Sequence, residues 1–256
     1  MPKLETNPAQ GDADMTDTPL FSRMVSVLAF ALIIFVAAPD AQATLGGTVP
    51  TNPGDTVFPG LVPPGSSPGT LLATLSVPFT SSLGTDSGTV VTAVFREAGG
   101  TLDFYYQVTN NTTAPNCGSV GQQACDPLSR LTATNFFGSL TSLGFRIDGL
   151  TLPGGVFVNG SVAPVTADRN SVGDVVGFSF NPPDSAKIQP GQTSDVLVIS
   201  TNATNFVPGN VSVIDGGVTT VVSFEPARPS NVPEAASLFL VVGGFVGIAA
   251  RRLRNW

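Results

Sequence analysis

The chain of 256 residues contains no histidine. That removes the side chain that titrates nearest neutral pH and the commonest metal ligand. Ser-His-Asp and Cys-His catalysis are excluded outright. Only two cysteines are present, too few for a thiolate metal centre without histidine. Charged residues make up 11%, and acidic side chains outnumber basic ones 18 to 11. A nucleic-acid partner would require a basic patch, which this balance does not supply. Apart from the chain ends, no long segment of helical hydrophobic period occurs. Gly 28 and Pro 22, with abundant Thr, Ser and Val, favour short strands joined by turns.

Both ends depart from this pattern. Val25 to Ala38 is a continuous apolar run interrupted only by Ser26. Arg23 precedes it, Pro39-Asp40 breaks it, and Ala41-Gln42-Ala43 follows. A basic flank, an apolar segment and a small-x-small site form the plan of a secretory signal peptide. Residues 1–43 are therefore expected to be the signal, with Ala41 and Ala43 flanking cleavage and Thr44 starting the mature chain. Glu5, Asp12 and Asp14 are out of place in an n-region, so translation is expected to begin at Met15. Residues 1–14 are otherwise a long n-region.

Residues 44–69 are dense in proline and glycine and read as an extended leader or irregular edge. Strand-like runs follow at 70–77, 89–96, 102–109, 139–147, 174–180, 194–201, 211–215 and 218–224. Ala98-Gly99-Gly100 and Asp215-Gly216-Gly217 place glycine where hairpins need positive φ. In 102–108, Leu102, Phe104, Tyr106 and Val108 share one face, and Asp103, Tyr105 and Gln107 the other. That period of two predicts a half-buried strand. The expected fold is all-β: an antiparallel β-sandwich ectodomain over 70–231. A signal helix before it and a short transmembrane helix after it complete the layout.

Cys117 and Cys125 lie close together in an exported chain, which favours a disulfide over a redox or metal site. Asp168, Asn170 and Asp174 hint at a calcium loop, but Val172 stands at a ligand position and no acid closes the loop. A polar turn is the preferred reading. Glu97, Asp103 and Asp148 are expected as turn or edge charges. Tyr105 is expected to face outward, where it could stack on a sugar ring. No catalytic residue, metal site or cofactor is nominated.

The last segment reads Val232-Pro233-Glu234, an apolar run from Leu238 to Ala250, then Arg251, Arg252 and Arg254. Sixteen residues counted from Ala235 span roughly 24 Å as helix, short of the ~30 Å hydrocarbon core. The arginines should remain cytoplasmic. This three-part tail resembles the PEP-CTERM sorting signal of Gram-negative bacteria, with Ala235 where the usual second proline stands. The same region is also labelled an ice-binding-protein C-terminal domain. That label describes the tail; no regular Thr-x-Thr ladder accompanies it. Ala98 to Thr112 and Val172 to Phe206 resemble segments common in proteins with this tail. The resemblance implies recognition by exosortase, a membrane peptidase/transpeptidase, at the inner membrane. It also implies association with exopolysaccharide and biofilm matrix. The expected function is thus a non-enzymatic, exported and C-terminally sorted protein of the cell surface or matrix. The alternatives are a surface carbohydrate-binding module and a carboxylate-dependent secreted hydrolase. Two facing acids in a cleft, one with a raised pKa, would favour the hydrolase.

Overall fold

The computed structural model describes residues 45–228. The signal segment 1–43 and the sorting tail 232–256, with all their expected residues, lie outside these. The described residues form one compact unit. Thirteen strands are described. They are β1 (Val49–Pro50), β2 (Thr56–Val57), β3 (Gly60–Leu61), β4 (Thr70–Thr80) and β5 (Ser87–Arg96). Then come β6 (Leu102–Asn110), β7 (Arg130–Ala133), β8 (Thr141–Arg146) and β9 (Thr166–Arg169). Last are β10 (Val176–Ser179), β11 (Val196–Thr201), β12 (Phe206–Asp215) and β13 (Gly217–Pro226). Among the described residues, two single-turn 3₁₀ segments, Gly149–Thr151 and Asp184–Ala186, interrupt the β structure.

The strands form two sheets, antiparallel apart from the short β3–β8 pairing. The first runs β1-β8-β11-β6-β5-β4, with β3 also against β8. The second runs β13-β12-β7-β10-β9-β2. All eight predicted strands are present. Both predicted hairpins are as well: Gly100 has φ 89° between β5 and β6, and Gly216 has φ 63° between β12 and β13. The runs at β7 and β9 are only four residues long, too short for a period to show in the sequence.

One core joins the two sheets. Phe104, Tyr106, Leu143, Leu197 and Ile199 of the first meet Leu131, Phe178, Val211 and Val213 of the second. Phe104 and Tyr106 lie on the face that the alternation along β6 predicts to be inward. The opposite face of the first sheet carries a second apolar cluster. Ala93, Phe95, Tyr105, Val196 and Val198 there pack beneath Leu45 and Val62 of the leader and Leu152 and Phe157 of the β8–β9 connection. The first sheet is therefore buried on both sides. Residues 45–69 are built into the fold, since β1 and β3 extend the first sheet and β2 the second. Gly60 shows how closely: a Cβ there would lie 1.7 Å from the Gly47 carbonyl oxygen.

Cys117 and Cys125 form a disulfide with Cα atoms 4.9 Å apart. Asn110, the first residue of a glycosylation sequon, is fully buried, donating to the carbonyls of Asp126 and Ile188.

Candidate functional site

The polar side of β6 is where expectation and structure part. Asp103, Tyr105 and Gln107 were expected to meet solvent. Their exposures are 0%, 0% and 2%. The alternation along β6 is as predicted; what covers its second face comes from segments without any period. Tyr105 is packed between Phe95, 4.7 Å away between ring centroids, and Phe157, at 6.3 Å. It offers no surface to a sugar.

Strand register gathers polar residues on this covered face. Ser142 of β8 stands opposite Ser200 of β11, and Ser200 opposite Asp103 of β6. Arg146 lies further along β8 on the same face. Gln107, Arg146 and Ser200 each hold a covering segment. Gln107 donates to the Val158 and Ser194 carbonyls at 2.8 and 2.9 Å and accepts from the Val158 amide at 3.0 Å. Arg146, 1% exposed, donates through Nε and Nη2 to the two Asp148 oxygens, both at 3.0 Å. The same Nη2 donates to the Ser66 carbonyl at 2.7 Å, and the Gly65 amide donates to Asp148 at 2.7 Å. Ser200 accepts from the Leu45 amide at 3.5 Å. Partial burial pushes the Asp148 carboxyl up, but Arg146 and the Gly65 amide outweigh it and hold the group below its usual value.

Asp103 is the exception. Neither carboxylate oxygen has a hydrogen-bond partner of good geometry, and neither does Glu97 Oε1, Tyr105 Oη or Arg146 Nη1. Burial drives the Asp103 pKa well up, and the facing Glu97 carboxyl drives it further. Ser200 and the Arg146 charge oppose this. Glu97, Asp103 and Asp148, expected as separate edge charges, thus belong to one cluster. Asp103 sits at its centre, and a surface cleft of about 250 Å³ opens at its rim. Leu45, Gly46, Ser67, Gly69, Glu97 and Ala98 line that cleft. The cleft reaches Glu97 but not Asp103.

A second cleft of about 270 Å³ lies between the leader and the β7–β8 connection. Its floor holds Arg169, 4% exposed. The guanidinium donates to the carbonyls of Phe136 and Ser139 at 2.9 Å and of Gly173 at 2.8 Å, and to the Thr141 hydroxyl at 3.3 Å. No carboxylate among the described residues pairs with it. It ties the β7–β8 connection to the β9–β10 turn.

The Asp168–Asp174 segment is the polar turn. Asp168 is engaged by both Arg130 terminal nitrogens, and the Asn170 Oδ1 accepts from the Asp174 and Val175 amides. Among the described residues, no three histidine, cysteine, aspartate or glutamate side chains are placed to hold a metal ion.

Buried acids give the fold a defined pH dependence. Asp195, 4% exposed, is raised to about 6 by burial. Asp215 is also raised to about 6, by burial and then by the charges of Asp126 and Asp86, against Lys187. Between about pH 4 and pH 6 the folded chain binds more protons than the unfolded one, so stability falls as pH rises through that window. Above it the full penalty stands. Thermal unfolding should therefore give a higher Tm at pH 5 than at pH 7.5. Asp195→Asn should raise the Tm at pH 7.5 and flatten the slope; relieving about 2 kcal/mol corresponds to roughly 5 °C. An unchanged slope would show that Asp195 is solvated.

Comparison with family models, curated proteins and solved structures returns no match to this chain.

Proposed function

We propose that the chain is an exported, non-enzymatic protein of the cell surface or matrix, sorted by its C-terminal tail. The observation that carries this is the tail's layout, Val232-Pro233-Glu234, Leu238–Ala250 and Arg251-Arg252-Leu253-Arg254, starting six residues after the last strand ends at Pro226. The two sheets pack as a β-sandwich, an architecture supported by the core they share. The disulfide suits an oxidising compartment outside the cytoplasm. In this reading the N-terminal signal directs export and the short helix presents the Pro-Glu segment to exosortase. The arginines fix orientation at the inner membrane, and delivery ends in the exopolysaccharide matrix.

A hydrolase is the second reading, because Glu97 faces Asp103 and the Asp103 pKa is raised. Burial stands against it. An acid with 0% exposure, outside the cleft lining, cannot touch a polymeric substrate.

Mass spectrometry of the mature C-terminus in an exosortase-bearing host tests the sorting role. Glu234→Ala, and separately replacement of the three arginines by glutamine, should leave unprocessed precursor in the inner membrane and reduce surface delivery at least several-fold. Processing and delivery equal to the parent's in both variants would reject the reading.

A further inference from the structure

The cleft over Arg169 has the composition of a binding site, and sorting by the tail makes no use of it. We propose that it binds a small organic carboxylate with an apolar body, the carboxylate meeting Arg169 and the body lying against Phe137, Leu140 and Val172. Such a site would work whether or not the tail is processed.

Charge is the first ground. An arginine stays protonated in a protein, so its burial leaves a positive charge to be compensated. Arg169 is buried and yet lines a cleft of about 270 Å³. The carbonyls of Phe136, Ser139 and Gly173 solvate the guanidinium without neutralising it. Among the described residues, the ion pairs engage other groups: Arg130 with Asp168, Arg146 with Asp148 and Lys187 with Asp184. Asp55 of the leader is turned to the Asn52 amide and Nδ2. Burial lowers the Arg169 pKa, and no carboxylate opposes the shift. The donors are not used up either. Nε and Nη2 reach the carbonyls, while Nη1, with two N–H groups, donates only to the Thr141 hydroxyl among the described residues. One Nη1 proton is left for an anion, where a charge-assisted hydrogen bond is strongest.

The walls supply the second ground. Pro50 and Pro53 come from the leader, Phe137 and Leu140 from the β7–β8 connection, and Val172 from the β9–β10 turn. Phe137, Leu140 and Val172 are large apolar side chains left exposed. A mostly hydrophobic lining with a few polar groups to fix orientation is the usual make-up of a small-molecule site. These walls are also held in place. The Thr51 amide donates to the Thr141 carbonyl and the Thr141 hydroxyl to the Thr51 carbonyl, both at 2.9 Å. Asn202 Oδ1 accepts from the Leu140 amide at 2.8 Å. At Gly173 an added Cβ would lie 2.9 Å from Pro53 Cγ and 3.1 Å from Arg169 Nη2, so the turn, the leader and the cation are in close contact. A preformed cleft spares a ligand the cost of ordering it. Its volume lies near the ~300 Å³ lower end for ligand pockets, which suits a single ring and not a chain. A sugar acid would set hydroxyls against proline, leucine and valine, so the rim favours a hydrocarbon body.

The test titrates the full chain, in detergent, with phenylacetate and follows backbone amide shifts by NMR. Saturable shifts should appear at Phe137, Ser139, Thr141 and Gly173, with a Kd on the order of 1 mM, the range for a ligand of about ten heavy atoms. Phenylacetamide, which keeps the shape and drops the charge, should bind at least about tenfold more weakly. Acetate, which keeps the charge and drops the body, should also bind about tenfold more weakly. Phe137→Ala removes an exposed side chain, so its Tm should stay near the parent's while phenylacetate affinity falls about fivefold. No saturable shift at about 20 mM phenylacetate, or shifts confined to other residues, would overturn the proposal. Equal affinity for phenylacetamide would overturn the role of Arg169. Equal affinity for acetate, or an unchanged affinity in Phe137→Ala, would overturn the apolar body and leave a general anion site. Tighter binding of glucuronate than of phenylacetate would overturn it in favour of an acidic sugar.

Discussion

Tyr105→Ala should destabilise the protein by about 4 kcal/mol, the range for removing a fully buried aromatic side chain. Tyr105→Phe should change stability by less than about 1 kcal/mol. The contrast follows from the surroundings. The ring is enclosed by Phe95 and Phe157 in the cluster between the first sheet and its cover. Truncation leaves a cavity under Leu45, Val62 and Leu152, three residues from two separate covering segments. The hydroxyl makes no hydrogen bond of good geometry, so its removal gives up little beyond proximity to Arg146. Urea unfolding followed by near-ultraviolet circular dichroism measures both variants. A mild Tyr105→Ala effect would mean that the second layer is loosely packed, and with it the assignment of residues 45–69 to the fold would fall.

Arg169→Ala should be of similar size, about 4 kcal/mol, for a different reason. The side chain does not fill a cavity so much as satisfy oxygen atoms. Its loss leaves the carbonyls of Phe136, Ser139 and Gly173 without this donor in buried positions. Each unsatisfied buried group costs about 1–3 kcal/mol, partly relieved where the adjoining cleft lets water in. Arg169→Lys should recover only a fraction, because an ammonium cannot reproduce the planar fork that reaches carbonyls of both loops at once. The local signature is faster amide exchange from Phe136 through Thr141 and at Gly173. Uniform destabilisation without such local opening would show that Arg169 acts only through bulk.

These two residues also show where sequence reasoning runs out. For Tyr105 the strand, its ends and its two faces were all legible, because alternation has a fixed period of two. The burial of the second face was not. It depends on leader residues such as Val62 and loop residues such as Phe157, whose spacing obeys no period. Arg169 gave no signal in the sequence, because its partners are backbone carbonyls that every residue possesses. The carboxylate cluster was equally hidden. Glu97, Asp103 and Asp148 are scattered along 52 positions and meet only because β6, β11 and β8 pair in one register. Arg146 and Gly65 then complete the set.

By itself the sequence determined the β class, eight of the strands, both glycine hairpins and the disulfide, all features written in local period, turn chemistry or cysteine spacing. It also set the export and sorting expectations at the two ends. Tertiary structure alone decided that the first sheet has two buried faces and that the leader is part of the core. It also decided that the polar face of β6 latches covering segments and faces no water. The physical reason is that cover and partner are long-range properties. A strand's sequence states which residues share a face, but only the segments folded onto that face determine what its carboxylates and hydroxyls meet.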